Sequence, residues 1–167
     1  SPHALDGDKL VAVPYQRVNN TGPAGSINSS VSDMAQWLRL QINSGTFDDK
    51  VIVSKQVLNE TRRIHNSSHR AKEKTMQEDA LFIDGFSTYG LGILINDEGP
   101  YRIYGHGGGL IGMSSFNAFI PALNLGVVVL TNRVNRLGIP LAGWILDRYL
   151  GANKIDRVDA FVRNVTE

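Results

Sequence analysis

The chain has 167 residues, 42% hydrophobic and 20% charged, with 17 Lys and Arg against 16 Asp and Glu. That composition suits one domain or a piece of a larger one, argues against wholesale disorder, and gives no electrostatic reason to expect nucleic acid or an anionic membrane as partner. The chain has no cysteine, so disulfides and thiolate chemistry are excluded, and no apolar run approaches the ~18 residues that span a bilayer.

The opening "SPHALDGDKL" has neither Met nor the charged n-region of a signal peptide, and a processed chain or one cut from something longer is expected. Residues 1–25 are polar and turn-rich and read as an irregular lead-in with one extended piece, "KLVAVPY". The segment "SSVSDMAQWLRLQINSG" reads as a helix capped by Ser30, with Asp33 placed to reach back to the cap. Val31, Met34, Ala35, Leu38 and Ile42 form its expected buried stripe, and Gly45 its left-handed end. A second helix is expected from Ser54, carrying Val57, Leu58, Thr61 and Ile64. Residues 62–80, a basic run followed by an acidic patch, read as a solvated connector.

From Thr88 the period changes to two. "TYGLGILI" reads as one strand with Tyr89, Leu91, Ile93 and Ile95 on a face, followed by a turn at "NDEGP" and further strands in "YRIYG", "SSFNAFI" and "GVVVLT". A last helix, "PLAGWILDRYL", presents Leu141, Trp144, Ile145 and Tyr149 and closes at Gly151. The order of elements predicts an α+β fold, an antiparallel sheet with helices packed on it. The expected divisions are a helical part over 25–80, a sheet plus C-terminal helix over 86–151, and a tail over 152–167.

The segment "YGHGGGLIGMSSF", Tyr104 to Phe116, places a histidine before three glycines. Glycine is costly to order, so the run is either a plain loop or a place where something approaches the backbone closely. A phosphate loop would need a following helix, and here a β-patterned segment follows. His65 and His69 have i, i+4 spacing but no acid between them, which makes a poor metal site, and no metal or other cofactor is expected. A lipase-type HGGG loop should precede a G-x-S-x-G elbow, which the chain lacks. There remains a strand whose bare backbone docks a substrate and offers an N–H to a developing oxyanion.

"PAGSINSSVSDMAQWLRLQINSG", the "YGLG" segment and "YGHGGGLIGMSSFNAFIPALNLGVVVLTN" together resemble the C-terminal half of the serine β-lactamases and penicillin-binding-protein-like hydrolases, closest to the class C and esterase-like branch. The resemblance covers about residues 1–150. It implies that His106 stands where the family often has lysine. It further implies that Gly107, Gly108 and Gly109 bind substrate through the strand backbone, and that His106 and Gly109 are catalytic, Gly109 as an oxyanion donor. A histidine, with a reference pKa of about 6.5 against about 10.4 for lysine, is the weaker carboxylate anchor.

The family's other two motifs do not follow. No serine here has lysine three residues on, and no tyrosine has asparagine two residues on. Ser26 to Asn28 fits S-x-N, but Ser26 reads as a turn or near-cap residue. Without nucleophile or base, the chain is expected to be the substrate-docking and oxyanion-hole half of a serine acyl hydrolase acting on an amide, ester or β-lactam. Its expected partners are a small-molecule or peptide acyl substrate and either the missing N-terminal half or a second copy. A noncatalytic peptide-binding module and a structural fragment stay open as alternatives. The resemblance suggests a periplasmic or secreted setting.

Overall fold

A computed structural model describes residues 1–69, 86–135, 137–151, 158–159 and 162–163. The chain opens with a hairpin, β1 (His3–Asp6) paired antiparallel with β2 (Lys9–Ala12), where only the second extended piece is expected from sequence. A one-turn helix α1 (Gly22–Gly25) leads to α2 (Val31–Ile42), a small ribbon of β3 (Thr46–Phe47) with β4 (Lys50–Val51), and α3 (Lys55–Thr61). Six strands follow: β5 (Asn66–His69), β6 (Phe86–Tyr89), β7 (Leu94–Glu98), β8 (Tyr101–Leu110), β9 (Met113–Ile120) and β10 (Leu125–Thr131). They lie in the order β10-β9-β8-β7-β6-β5, an antiparallel meander, and α4 (Gly138–Leu150) closes the described fold. The architecture is α+β, as expected.

Local chemistry explains the helix ends. The Ser30 side chain accepts from the Asp33 N–H at 3.2 Å, and its hydroxyl donates to Asp33 Oδ2 at 2.8 Å, so cap and third residue satisfy each other. Ser54 caps α3 in the same way through the Val57 N–H. At the C-terminus of α2, Gly45 N–H bonds Leu40 C=O and Ser44 N–H bonds Gln41 C=O, with Ser44 at φ 55° and Gly45 at φ 93°. The left-handed end therefore begins at Ser44 and includes the expected Gly45. Gly45 is required for a second reason: a Cβ on it would lie 1.9 Å from Val53 O.

The sheet carries a core on each face. Ile103, Phe116, Ala118, Ile120, Val127 and Val129 pack with Ala142 and Leu146 of α4. Leu38 of α2 packs with Ile93, Ile95 and Phe119 on the other face. The α2 stripe is narrower than its spacing suggests: Leu38 is buried, Met34 and Ile42 partly, while Val31 and Ala35 are exposed. In α4 the buried line is Gly138, Ala142, Gly143 and Leu146, and Tyr149 is 70% exposed. Small residues bring the helix close to the sheet (a Cβ on Gly138 would sit 3.2 Å from Phe116 Cβ), and the bulky residues Leu141, Trp144 and Ile145 flank the contact.

Two connections differ from expectation. Thr88–Ile95 is not one strand: Gly90 N–H bonds Ile93 C=O at 2.8 Å, Gly92 has φ 74°, and the chain reverses from β6 into β7, leaving Leu91 exposed. Residues Asn66–His69, expected within the connector, form the edge strand β5 against β6. The rest of that connector, from residue 70 onward, lies outside the described residues, as does most of the expected tail over 152–167.

Candidate active site

Strand β8 is the longest in the sheet, and its two halves have different surroundings. It pairs with β9 from Tyr104↔Phe119 to Leu110↔Met113. Its pairing with β7 runs from Glu98↔Tyr101 only to Leu94↔Gly105. Beyond Gly105, the segment His106–Leu110 runs past the start of β7, and among the described residues no strand is paired to it on that side. An unpaired strand presents alternate N–H and C=O groups to whatever lies beside it.

The glycines of this strand are not equivalent. At Gly105 a Cβ would sit 2.5 Å from Asn117 O, so packing demands glycine there. At Gly107 the nearest atom would be Phe116 Cδ2 at an ordinary 3.6 Å, and at Gly109 nothing lies within 4 Å. Neither has positive φ. The fold therefore has room for a side chain at both positions. At Gly108 a Cβ would meet Ser115 Oγ at 2.6 Å, a hydroxyl that can rotate away.

His106 is held at three points. Its Nε2 lies 2.8 Å from the Tyr89 hydroxyl on β6, and its Nδ1 bonds the Gly107 carbonyl. Its own carbonyl accepts from Asn117 Nδ2 at 3.2 Å, directly across the β8–β9 pair. Asn117 Oδ1 is buried with no hydrogen-bond partner. Ser115 and Asn117 make a second S-x-N triplet. Their Cα partners are Gly108 and His106, so they share the face of His106.

The end of the glycine strand adjoins a cavity of about 310 Å³ lined by Tyr15, Gln16, Gly25, Asn28, Leu110 and Met113, among others. Gln16 Oε1 accepts from the Ile111 N–H at 3.1 Å and ties the lead-in to the β8–β9 turn. Ser26 stands at the C-cap of α1 with its hydroxyl on Gly22 C=O at 2.7 Å, the turn role expected of it. The Ser114 hydroxyl is engaged by Thr131 Oγ1 at 2.7 Å and by Asn135 C=O at 2.9 Å. His65 pairs with Glu60 at 3.3 Å, and among the described residues no cluster of His, Asp and Glu could hold a metal. No helix among them is long and apolar enough to cross a membrane.

The described site thus joins His106, Gly107, Gly108 and Gly109 on one strand segment whose β7 side is open among the described residues, and adds Tyr89 and Asn117. The only sequence signal for Tyr89 was its place in "YGLG"; its hydroxyl reaches His106 through sheet topology, not through spacing.

Comparison with known proteins bears on the fold and the family. No curated protein matches the chain. The octameric penicillin-binding protein homologue from Pyrococcus abyssi has a similar structure, with a TM-score of 0.68 and 25% identity. The match covers 91% of this chain and 31% of that one, so the chain spans about a third of that relative's length. The family profile described as Beta-lactamase matches residues 2–151. With that match over most of its length, on an antiparallel sheet flanked by helices, the chain belongs to the beta-lactamase family.

Proposed function

We propose that this chain is the C-terminal, substrate-docking and oxyanion-hole portion of a serine acyl hydrolase acting on an amide, ester or β-lactam. In this reading the acylated serine lies outside these 167 residues. The observation that carries the proposal is the pair Gly107 and Gly109. Both are glycine where neither backbone conformation nor packing requires it, on a strand segment that pairs with β9 on one side and, among the described residues, with no strand on the other. Keeping a flexible residue at such positions costs stability, about 0.5–1 kcal/mol relative to alanine within a strand. Room for a substrate against the backbone offsets that cost in function. Gly107 and Gly108 dock the substrate, the Gly109 N–H donates to the developing oxyanion, and His106 takes the place of the family's lysine.

Two substitutions at one position test this. Gly109→Ala adds a methyl into open space and removes a flexible residue, so the unfolding midpoint holds or rises slightly, while acylation falls because the methyl fills the docking space. Gly109→Pro removes the N–H, and the loss of one oxyanion donor costs about 2.7–4 kcal/mol, a rate drop of about 10²–10³. The assay is labelling by a serine-directed fluorophosphonate after this chain is mixed with an S-x-x-K-bearing N-terminal portion. The chain alone is expected to stay unlabelled. Unchanged labelling in both variants, with the fold intact, removes Gly109 from the site.

The side of His106–Leu110 that carries no strand among the described residues also favours a second reading, a noncatalytic module that takes up an extended peptide as an added strand. Saturable peptide binding by the chain, with no labelling in the mixed system, would select it.

A further inference from the structure

We propose that Tyr89 is a positioning residue for His106, holding the imidazole as the Nδ1–H tautomer with Nε2 as hydrogen-bond acceptor. The inference rests on the reading of His106–Gly109 as a docking wall, and it assigns a role to a residue on another strand.

The tautomer follows from the partners. Nδ1 lies against the Gly107 carbonyl oxygen, which has no proton to give, so Nδ1 must carry the hydrogen. An uncharged imidazole has only one N–H, and Nε2 is therefore bare. The group 2.8 Å from Nε2 is the Tyr89 hydroxyl, which can donate. The two rings meet edge-on, with centroids 5.8 Å apart and planes at 60°, so Tyr89 supports the imidazole by packing as well. Asn117 fixes the main chain of the same residue from the opposite strand.

The uncharged ring consequently has no free nitrogen: one donates to the strand it stands on and the other accepts from β6. A lysine at this position would carry three N–H donors on a flexible stem. Here the direction of the ring and the identity of its bare nitrogen are set by a hydroxyl contributed across the β6–β8 gap, beyond the start of β7.

The test is a long-range proton–nitrogen correlation spectrum of the histidine-labelled chain, recorded at mildly alkaline pH, where the nitrogen shifts themselves distinguish the two uncharged tautomers from the charged ring. The wild-type chain should show His106 with a protonated Nδ1 and a bare Nε2. In Tyr89→Phe, which keeps the aromatic packing, the preference for that tautomer should fall by roughly three- to tenfold, the equilibrium value of one neutral hydrogen bond. The unfolding midpoint, measured alongside, verifies that the variant is folded. A wild-type Nε2–H tautomer, or an unchanged tautomer ratio in folded Tyr89→Phe, overturns the proposal. If the variant does not fold, exchange-slowed cross-relaxation between the Tyr89 hydroxyl proton and His106 Hε1 in the wild type supports it, and its absence overturns it. Acyl transfer plays no part in these readouts, so their failure leaves the Gly109 tests standing, and the converse holds.

Discussion

Arg62 offers the sharpest test of how the second core is assembled. It is the C-cap of α3 and only 9% exposed, yet it carries a guanidinium. Nη2 donates to the Gln41 main-chain carbonyl and, at 2.9 Å, to Gln41 Oε1, which fixes the C-terminal end of α2. The cation lies 5.1 Å over the Phe119 ring and 5.5 Å over the Tyr104 ring. Burial disfavours the charged form and lowers the Arg62 pKa below its ordinary value. The contacts must therefore offset a desolvation penalty of several kcal/mol. A hydrogen bond to a charged group contributes about 1.5–3 kcal/mol and each ring contact about 0.5–2 kcal/mol. Arg62→Ala loses these contacts and the packing of the stem but also relieves the desolvation, for an expected net loss of about 2–4 kcal/mol. Arg62→Met keeps most of the volume and leaves Gln41 Oε1 without its donor, for an expected loss of about 1–2 kcal/mol. Gln41→Leu combined with Arg62→Met removes both polar partners and should cost less than the two single changes added together. Urea unfolding followed by circular dichroism measures all four variants. A loss below about 1 kcal/mol for Arg62→Ala, or strict additivity in the double variant, would refute the reasoning.

Arg102 faces Asp97 directly across β7 and β8, with Nε–Oδ1 at 2.6 Å, and its hydrogen bond holds the Asp97 carboxyl below its ordinary value. Stability from this pair is present above the unfolded carboxylate pKa of about 3.9 and is lost as pH falls through the lower folded value. Because the Asp97 side chain is 62% exposed, it amounts to less than about 1 kcal/mol. Carboxyl NMR should place the Asp97 midpoint below that of Arg102→Gln; equal midpoints would sink the assignment. Gly45→Ala forces a methyl to 1.9 Å from Val53 O at φ 93°, and thermal unfolding should show a loss of at least about 2 kcal/mol. Ser30→Ala removes the cap of α2 and should cost about 1 kcal/mol, with helix content largely kept.

What could be read along the chain was whatever depends on neighbours a few residues away. The Ser30 and Ser54 caps, the strand that runs through "HGGG", the apolar run of β10 and the Gly151 stop are local choices of hydrogen bond and dihedral. The alternation of "TYGLGILI" misled because a two-residue period persists through a tight turn, and only the Gly90–Ile93 hydrogen bond shows the reversal. The face of α4 drawn from its bulky residues is only partly the inner one: Leu141 and Ile145 pack against the core and Tyr149 is exposed, while the closest approach to Phe116 is at Gly138. The candidate site divides in the same way. Its histidine and glycines are consecutive and visible in one line of sequence. That the strand outruns β7, that Gly107 and Gly109 face no packing demand, and that Tyr89 reaches His106 are consequences of register between strands. Register is set by the summed burial on both faces of the sheet, a quantity that no short stretch of the chain contains.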